Sequence, residues 1–362
     1  MRVVFVSGNL SNGGAQRVIS VVASSLAEKG HEVFLYLYSR SDQEYPISPK
    51  VKITSMQDDF RSYQEMSGIS RITSLRSYLK KVNPDVAVGF LEGGYGLFLS
   101  SFGMKFKKVA SARYNPRIVL AKKGLRRKLN KLWFAAADAL VVQTNSQMDL
   151  ITPQMRRHGV VIENPVSDYA LESKCDTYRE QCRSFVMAGR LETQKDYPTA
   201  LRAMKIAKEK YPDIHLDIYG KGKEKESIEQ EIKKLGLNNN VTLCGWSQNT
   251  IDEFRKHDLY LMTSDSEGMP NALMEAMAVG LPCISTDCET GPSDLISDGE
   301  NGYLVEVGDA KGLAGRILDI IEMPLEERVK MANAAHATMR DSFNSVVISR
   351  KWEQLFYKLL NE

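Results

Sequence analysis

The chain has 362 residues, which at roughly 150 per domain is enough for two domains with cores of their own and excludes a small stapled module. Its composition, 43% apolar and 26% charged, excludes collagen-like, coiled-coil and largely disordered chains. Lys and Arg number 48 against 45 Asp and Glu, a net charge of +3, so attraction to an anionic partner has to come from local clustering of charge. The five cysteines, Cys175, Cys182, Cys244, Cys283 and Cys288, form no C-x-x-C pair, which fits a cytoplasmic compartment better than a disulfide framework or a zinc site. The N-terminus reads as a first strand and not as a secretion signal. The longest nearly apolar stretch, Leu132 to Val142, contains Asp138 and falls short of the roughly 18 residues a membrane span needs.

Short β-branched or aromatic runs predict strands near 3–7, 33–38, 86–90, 109–112 and 139–143, separated by longer segments, the rhythm of a parallel α/β sheet. Between the first two, Ala15, Val18, Ile19, Val22, Ala23 and Leu26 recur at helical spacing, with Gly30 as the stop. After Asn164-Pro165, a step that favours extended chain, the pattern starts again. Strands are predicted near 184–188, 216–219, 241–244, 259–263 and 283–285, with helices near 197–211, 224–236 and 271–279. Two Rossmann-like domains follow, 1–165 and 166–342, with a cleft expected between them. The last segment, 343–362, carries Ile348, Trp352, Leu355, Phe356 and Leu359 on one helical face. It is expected to pack back on the first domain, docking on the second being the alternative.

Three strand ends carry candidate chemistry. Gly13 and Gly14 close a turn after the first strand, where backbone amides and a helix start could cradle an anion; a plain tight turn is the alternative. Arg190 and Lys195 follow the first strand of the second half, at the edge where open α/β sheets bind ligands. Their chemistry is that of a diphosphate clamp, a guanidinium fork beside an ammonium point charge, against two solvated loop cations. The third is the run Ser264 to Pro282, with Glu267 in a turn and Glu275 in a helix apolar nearly all round. An unpartnered carboxylate there costs several kcal/mol, so Glu275 needs a polar partner, either ribose hydroxyls or an internal salt bridge. Gly268, Met269, Pro270, Asn271 and Ala272 form the helix start, where the amides of Met269, Asn271 and Ala272 could meet a sugar and a phosphate.

In this order, G-R-L-x-x-x-K-D followed by E-G-M-P-N-A-L-M-E resembles the E-x7-E signature of the family 4 glycosyltransferases over essentially the whole chain. The resemblance implies a GT-B fold of two facing Rossmann-like domains, the first for acceptor and the second for a nucleotide sugar. It implies transfer of a sugar with retention of configuration, and two side-chain cations with helix-end amides, in a chain with no D-x-D pair, predict that the transfer needs no cofactor or metal. It places Arg190 and Lys195 on the donor diphosphate, Glu267 near the donor sugar, Glu275 on the ribose, and Gly13 and Gly14 facing the phosphates. Where many relatives carry a His after the fourth strand of the first domain, this chain reads Ser111-Ala-Arg-Tyr-Asn115. Arg113, Asn115 and Glu92 are candidates for acceptor or donor contact, ordinary strand-end polarity being the alternative. The Cys288-Glu-Thr-Gly-Pro292 turn resembles a variant found in enzymes of UDP-hexoses, so a UDP-linked donor is expected. A sugar-nucleotide epimerase would need acid–base groups on both faces of the sugar, and a non-catalytic subunit would be expected to have a broken signature.

Lys105 to Lys131 contains eleven basic residues and no acidic one, with leucines and Trp133 interleaved or following. Such a basic amphipathic segment suits an anionic membrane surface, a solvated helix face being the alternative, and it lacks the aromatic platform of a nucleic-acid site. The expected setting is the inner face of the cytoplasmic membrane, with a lipid-linked glycan as acceptor.

Overall fold

The computed structural model describes all residues except 12, 42–43, 60–66, 91 and 118–124, and the side chains at 58–59, 92 and 125–127. The chain divides into two compact units, Met1–Pro165 with Ser345–Glu362, and Val166–Asn344.

The first unit is built on a seven-stranded sheet. Its strands are β1 (Arg2–Ser7), β2 (Glu32–Leu37), β3 (Lys52–Ser55), β4 (Val86–Phe90), β5 (Lys107–Ser111), β6 (Ala139–Val142) and β7 (Gly159–Val161). They run in the order β3-β2-β1-β4-β5-β6-β7, all parallel, with Val3 of β1 opposite Val33 of β2 and Val86 of β4. The Gly14–Glu28 helix buries Val18, Ile19, Val22, Ala23 and Leu26 on this sheet, and Gly30 ends it in the left-handed region at φ 89°.

The final helix, Ser345–Asn361, belongs to this unit. Ile348, Trp352, Leu355, Phe356 and Leu359 enter the same core as Phe5, Val22 and Phe90. Trp352 stands 5.9 Å from Phe90 and 5.8 Å from Phe356 between ring centroids. At the rim, Glu353 accepts from Lys29 Nζ and lies against His31 Nε2, each at 2.8 Å. The aromatic weight of the tail thus enters the first unit. Phe343 and Asn344, expected to travel with the helix, stay with the second unit: Phe343 is buried in its core and its carbonyl accepts from Val166 N at 2.8 Å.

The second unit carries six parallel strands, β8 (Ser184–Ala188), β9 (His215–Tyr219), β10 (Val241–Gly245), β11 (Leu259–Met262), β12 (Cys283–Thr286) and β13 (Tyr303–Val305). Their order is β10-β9-β8-β11-β12-β13. Each sheet reverses direction of growth once, at β1/β4 and at β8/β11. The crevice beyond the carboxyl ends of such a strand pair is where an open α/β sheet admits a ligand.

Truncating Trp352 to Ala should lower the unfolding free energy by about 3–5 kcal/mol, read from urea unfolding followed by circular dichroism.

Candidate active site

At the β8/β11 switch of the second unit, two loops leave adjacent strands and are tied together through their main chains. Gly189 N donates to Tyr219 O at 2.9 Å, and the buried Tyr197 hydroxyl donates back to Gly189 O at 3.1 Å. Burial first, and the nearby Glu267 second, push that phenol far above its ordinary value, so it remains a donor. The loop then makes a 3-10 turn, Thr193–Lys195, and Asp196 in the left-handed region (φ 40°) caps the Tyr197–Lys210 helix through Thr199 N. From the β11 side, Thr263 Oγ1 donates to the carbonyls of Lys195 and Asp196, both at 2.9 Å, and Asp265 N donates to Gln194 O at 2.8 Å. Gln194 Nε2 donates to Ser266 O. The Asp265 carboxyl is raised above its ordinary range by burial and by Asp196.

These ties bring Lys195 and Glu267 together, with Nζ 2.6 Å from Oε1 and the side chains 19% and 11% exposed. At that depth water screens the pair only partly, which distinguishes it from a surface ion pair. Arg190, by contrast, is exposed and donates to Glu192 Oε1 at 3.2 Å. The two expected clamp residues thus occupy one loop but have different partners.

Glu275 lies in the Asn271–Ala278 helix, 4% exposed among Leu273, Met274, Ala276, Met277 and Ala278. Thr250 Oγ1 donates to its Oε2 at 3.3 Å. Pro270 precedes the helix and offers no side-chain oxygen to the amides of the first turn. Gly268, buried Met269 and Pro270 connect Glu267 to that turn. One short segment therefore joins a cation–carboxylate pair, a helix start and a buried acid.

The close approach of β8 and β9 loops depends on glycine: a Cβ on Gly220 would stand 1.9 Å from Gly189 O, and one on Gly222 2.1 Å from Leu191 O. Sequence reasoning singled out neither for this reason, and it gave no role to Gln194, Thr250 or Thr263, whose types carry no signal until their partners are known.

In the first unit, Gly13 caps the Gly14–Glu28 helix at φ −162°, ordinary extended backbone, so the turn does not need glycine for its conformation. Gly14 is the first helical residue, and position 12 lies outside the described residues. Glu92 opens the Glu92–Ser100 helix after β4, its side chain lying outside the described part of the structure. Arg113 is buried. Its Nε donates to Ser111 Oγ at 2.7 Å and Nη1 to Asn164 Oδ1 at 2.9 Å, while its guanidinium lies 5.2 Å from the Phe90 ring and 5.4 Å from that of Trp352. Burial pushes Arg113 down to about 9, Glu163 opposing, so it stays charged at neutral pH. Asn115 is buried and accepts from Arg117 N at 2.9 Å.

The histidines hold structure: His336 Nδ1 meets Ala278 O at 2.6 Å, His158 Nε2 meets Phe134 O at 2.8 Å, and His257 Nδ1 meets Ser184 Oγ at 2.8 Å. Among the described residues no cluster of three or more His, Cys, Asp or Glu is placed to hold a metal ion, and no helix is long and apolar enough to cross a membrane.

Two Rossmann-like units, each on a parallel sheet, with the last helix returned to the first, make up the GT-B fold. Residues 177–338 match the glycosyl transferases group 1 family, and the chain resembles glycosyltransferases over its full length. It is 25% identical to the amylovoran biosynthesis glycosyltransferase AmsD of Erwinia amylovora, over 97% of this chain and 98% of that one. It is 26% identical to the Campylobacter jejuni GalNAc-alpha-(1->4)-GalNAc-alpha-(1->3)-diNAcBac-PP-undecaprenol alpha-1,4-N-acetyl-D-galactosaminyltransferase, over 100% and 99%. Among solved structures, the Staphylococcus aureus TarM G117R mutant in complex with Fondaparinux, alpha-GlcNAc-glycerol and UDP superposes with a TM-score of 0.78 at 14% identity, covering 98% of this chain and 99% of TarM.

Replacing Gly220 by Ala forces main chain apart at the Gly189 contact and should cost about 1–3 kcal/mol of stability, measured by chemical denaturation.

Proposed function

We propose that the chain moves a hexose or N-acetylhexosamine, with retention, from a UDP-sugar bound by the second unit to a glycan carried on a lipid and bound by the first. The observation that carries this reading is the Lys195–Glu267 pair at the β8/β11 switch, joined through residues 268–270 to the helix that holds Glu275. Lys195, with Arg190 swinging from Glu192, neutralises the departing diphosphate as a point charge and a fork. First-turn amides of the Asn271–Ala278 helix add positive potential without a divalent ion. Glu267 meets the donor sugar, and Glu275, already desolvated and hydrogen-bonded by Thr250, accepts from the ribose hydroxyls. In a retaining reaction on one face of the sugar, the leaving phosphate takes the acceptor proton, so no histidine base is required.

UDP bound to TarM supports the nucleotide, and the undecaprenol-linked substrate named for the Campylobacter relative supports the acceptor class. Gly13 and Gly14 are assigned to the side facing the donor phosphates. Glu92 is assigned to the acceptor, with Arg113 and Asn115 shaping the neighbouring strand ends from inside.

A UDP-hexose in hundredfold excess over its Kd should stabilise the chain by about 2.7 kcal/mol, visible as a thermal shift that GDP- and ADP-sugars do not match. Lys195→Ala should abolish that shift, and EDTA should leave turnover intact; an unchanged shift, or activity that returns only with magnesium or manganese, would refute the clamp.

The basic stretch 105–131 is assigned to an anionic membrane surface on the cytoplasmic side. Its centre, 118–124, lies outside the described residues. Beyond it, the Leu125–Ala136 helix buries Trp133 and Phe134 while Lys128, Lys131 and Leu132 are exposed or partly so, the mixture an interfacial helix presents to lipid. At low salt the protein should sediment with anionic liposomes and not with neutral ones, and equal sedimentation would count against the assignment.

A further inference from the structure

The turn 288–292, whose sequence resembles a variant found in enzymes of UDP-hexoses, follows β12, and none of its side chains has been given a part in the chemistry above. Thr290 is fully buried in it, and its Oγ1 donates to the main-chain carbonyl of Glu267. The next residue, Gly291, has a φ of 103°. A Cβ there would stand 2.9 Å from both Gly268 O and Pro270 Cδ, and 3.4 Å from Met269 Cα. The main chain at 291 is therefore packed against the main chain of Gly268 and Met269 and against the Pro270 ring, which glycine at 291 permits. The turn itself is fixed: Cys288 Sγ donates to Thr290 O at 3.5 Å, and Gly291 N donates to Asp294 Oδ2 at 3.3 Å.

The Glu267 carboxylate is held by Lys195 at 2.6 Å. A diphosphate draws that ammonium toward its own oxygens, and the side-chain tether on Glu267 slackens just when the acid has to meet the sugar. What then fixes the carboxylate is its main chain, and Thr290 anchors that main chain. We propose that Thr290 is a positioning residue for recognition of the hexosyl group of a UDP-sugar, acting through Glu267 without touching the nucleotide. The inference rests on the reading of Glu267 as the acid at the donor sugar. It also explains the presence of the 288–292 turn, which backs the sugar-facing acid from behind its main chain.

The test compares Thr290→Val, Thr290→Ser and Glu267→Gln with the unaltered chain, using UDP alone for affinity by calorimetry. Turnover is UDP release from whichever of UDP-glucose, UDP-galactose and their N-acetyl forms reacts fastest. Valine keeps the shape but leaves the Glu267 carbonyl without its donor. A displacement of about 1 Å at a reacting group costs on the order of 100-fold, so Thr290→Val should lose about that much kcat while UDP affinity stays within about twofold. Thr290→Ser, which keeps the hydroxyl, should recover most of the loss. Where the valine variant does not fold, Thr290→Ala serves for the same comparison. Turnover of Thr290→Val near that of the unaltered chain, or a fall in UDP affinity equal to the fall in kcat, would overturn the proposal. Glu267→Gln separates the two readings: full turnover in it sinks the role of Glu267 and the inference with it. Loss in Glu267→Gln without loss in Thr290→Val sinks the inference alone.

Discussion

The second unit is organised around a cation and a carboxylate placed 2.6 Å apart, at a depth where water reaches them only in part. Such a pair gains little stability for its host, because desolvation of both groups consumes most of the attraction. It is held instead by geometry. Thr263, Gln194 and Asp265 fasten the β8 loop to the β11 loop, and glycines at 220 and 222 let the β9 loop come against it at backbone distance. A poorly stabilising pair that many bonds hold in register can give up its cation to a better anion. A diphosphate carries more charge than one carboxylate, so under the proposed function Lys195 exchanges from Glu267 to phosphate.

Burial sets the character of the other acid. Glu275 is almost fully covered among methionine and alanine side chains, where losing water is costly to a carboxylate and each hydrogen bond it accepts is correspondingly stronger. Thr250 supplies it with a hydrogen bond from a neutral group. Glu267 and Glu275 thus differ in the way that two separate roles in one site require: the first is paired with an ammonium that binding can recruit, the second accepts from a hydroxyl, the same kind of donor that a ribose presents.

Most strands, and the helices beginning at 14, 197, 225, 271 and 345, were legible because buried parallel strands read as short apolar runs and such helices as amphipathic ones, whereas the helices at 68–82, 310–322 and 325–342 were not predicted. The three strands that sequence reading missed, β3, β7 and β13, are short and lie at sheet edges. An edge strand is covered on fewer sides, so Lys52 and Thr54 of β3 or Tyr303 of β13 need not follow an apolar pattern. Site acids and cations could be named from spacing, yet their pairing could not. That Lys195 meets Glu267 while Arg190 meets Glu192 depends on which loops are sewn together, and the threonines and glutamine that sew them are commonplace residues until folded. The destination of the last helix was legible only as a surplus of aromatic side chains needing a core.

That destination completes the architecture of both units. The chain leaves the first unit after Asn164-Pro165 and returns to it at Ser345, and each side fixes both crossings at one place. In the second unit, Val166 N donates to Phe343 O. In the first, Arg113 bonds Asn164 and lies on the Trp352 ring, and Lys351 donates to Glu163 Oε2 at 2.7 Å. A buried guanidinium suits this position because its planar face stacks on rings while its edge donates to carbonyl groups. Lysine could supply the charge but not the two geometries together. Arg113 is thereby accounted for as a joint between the exit and the return of the chain, independent of any part it plays toward substrate.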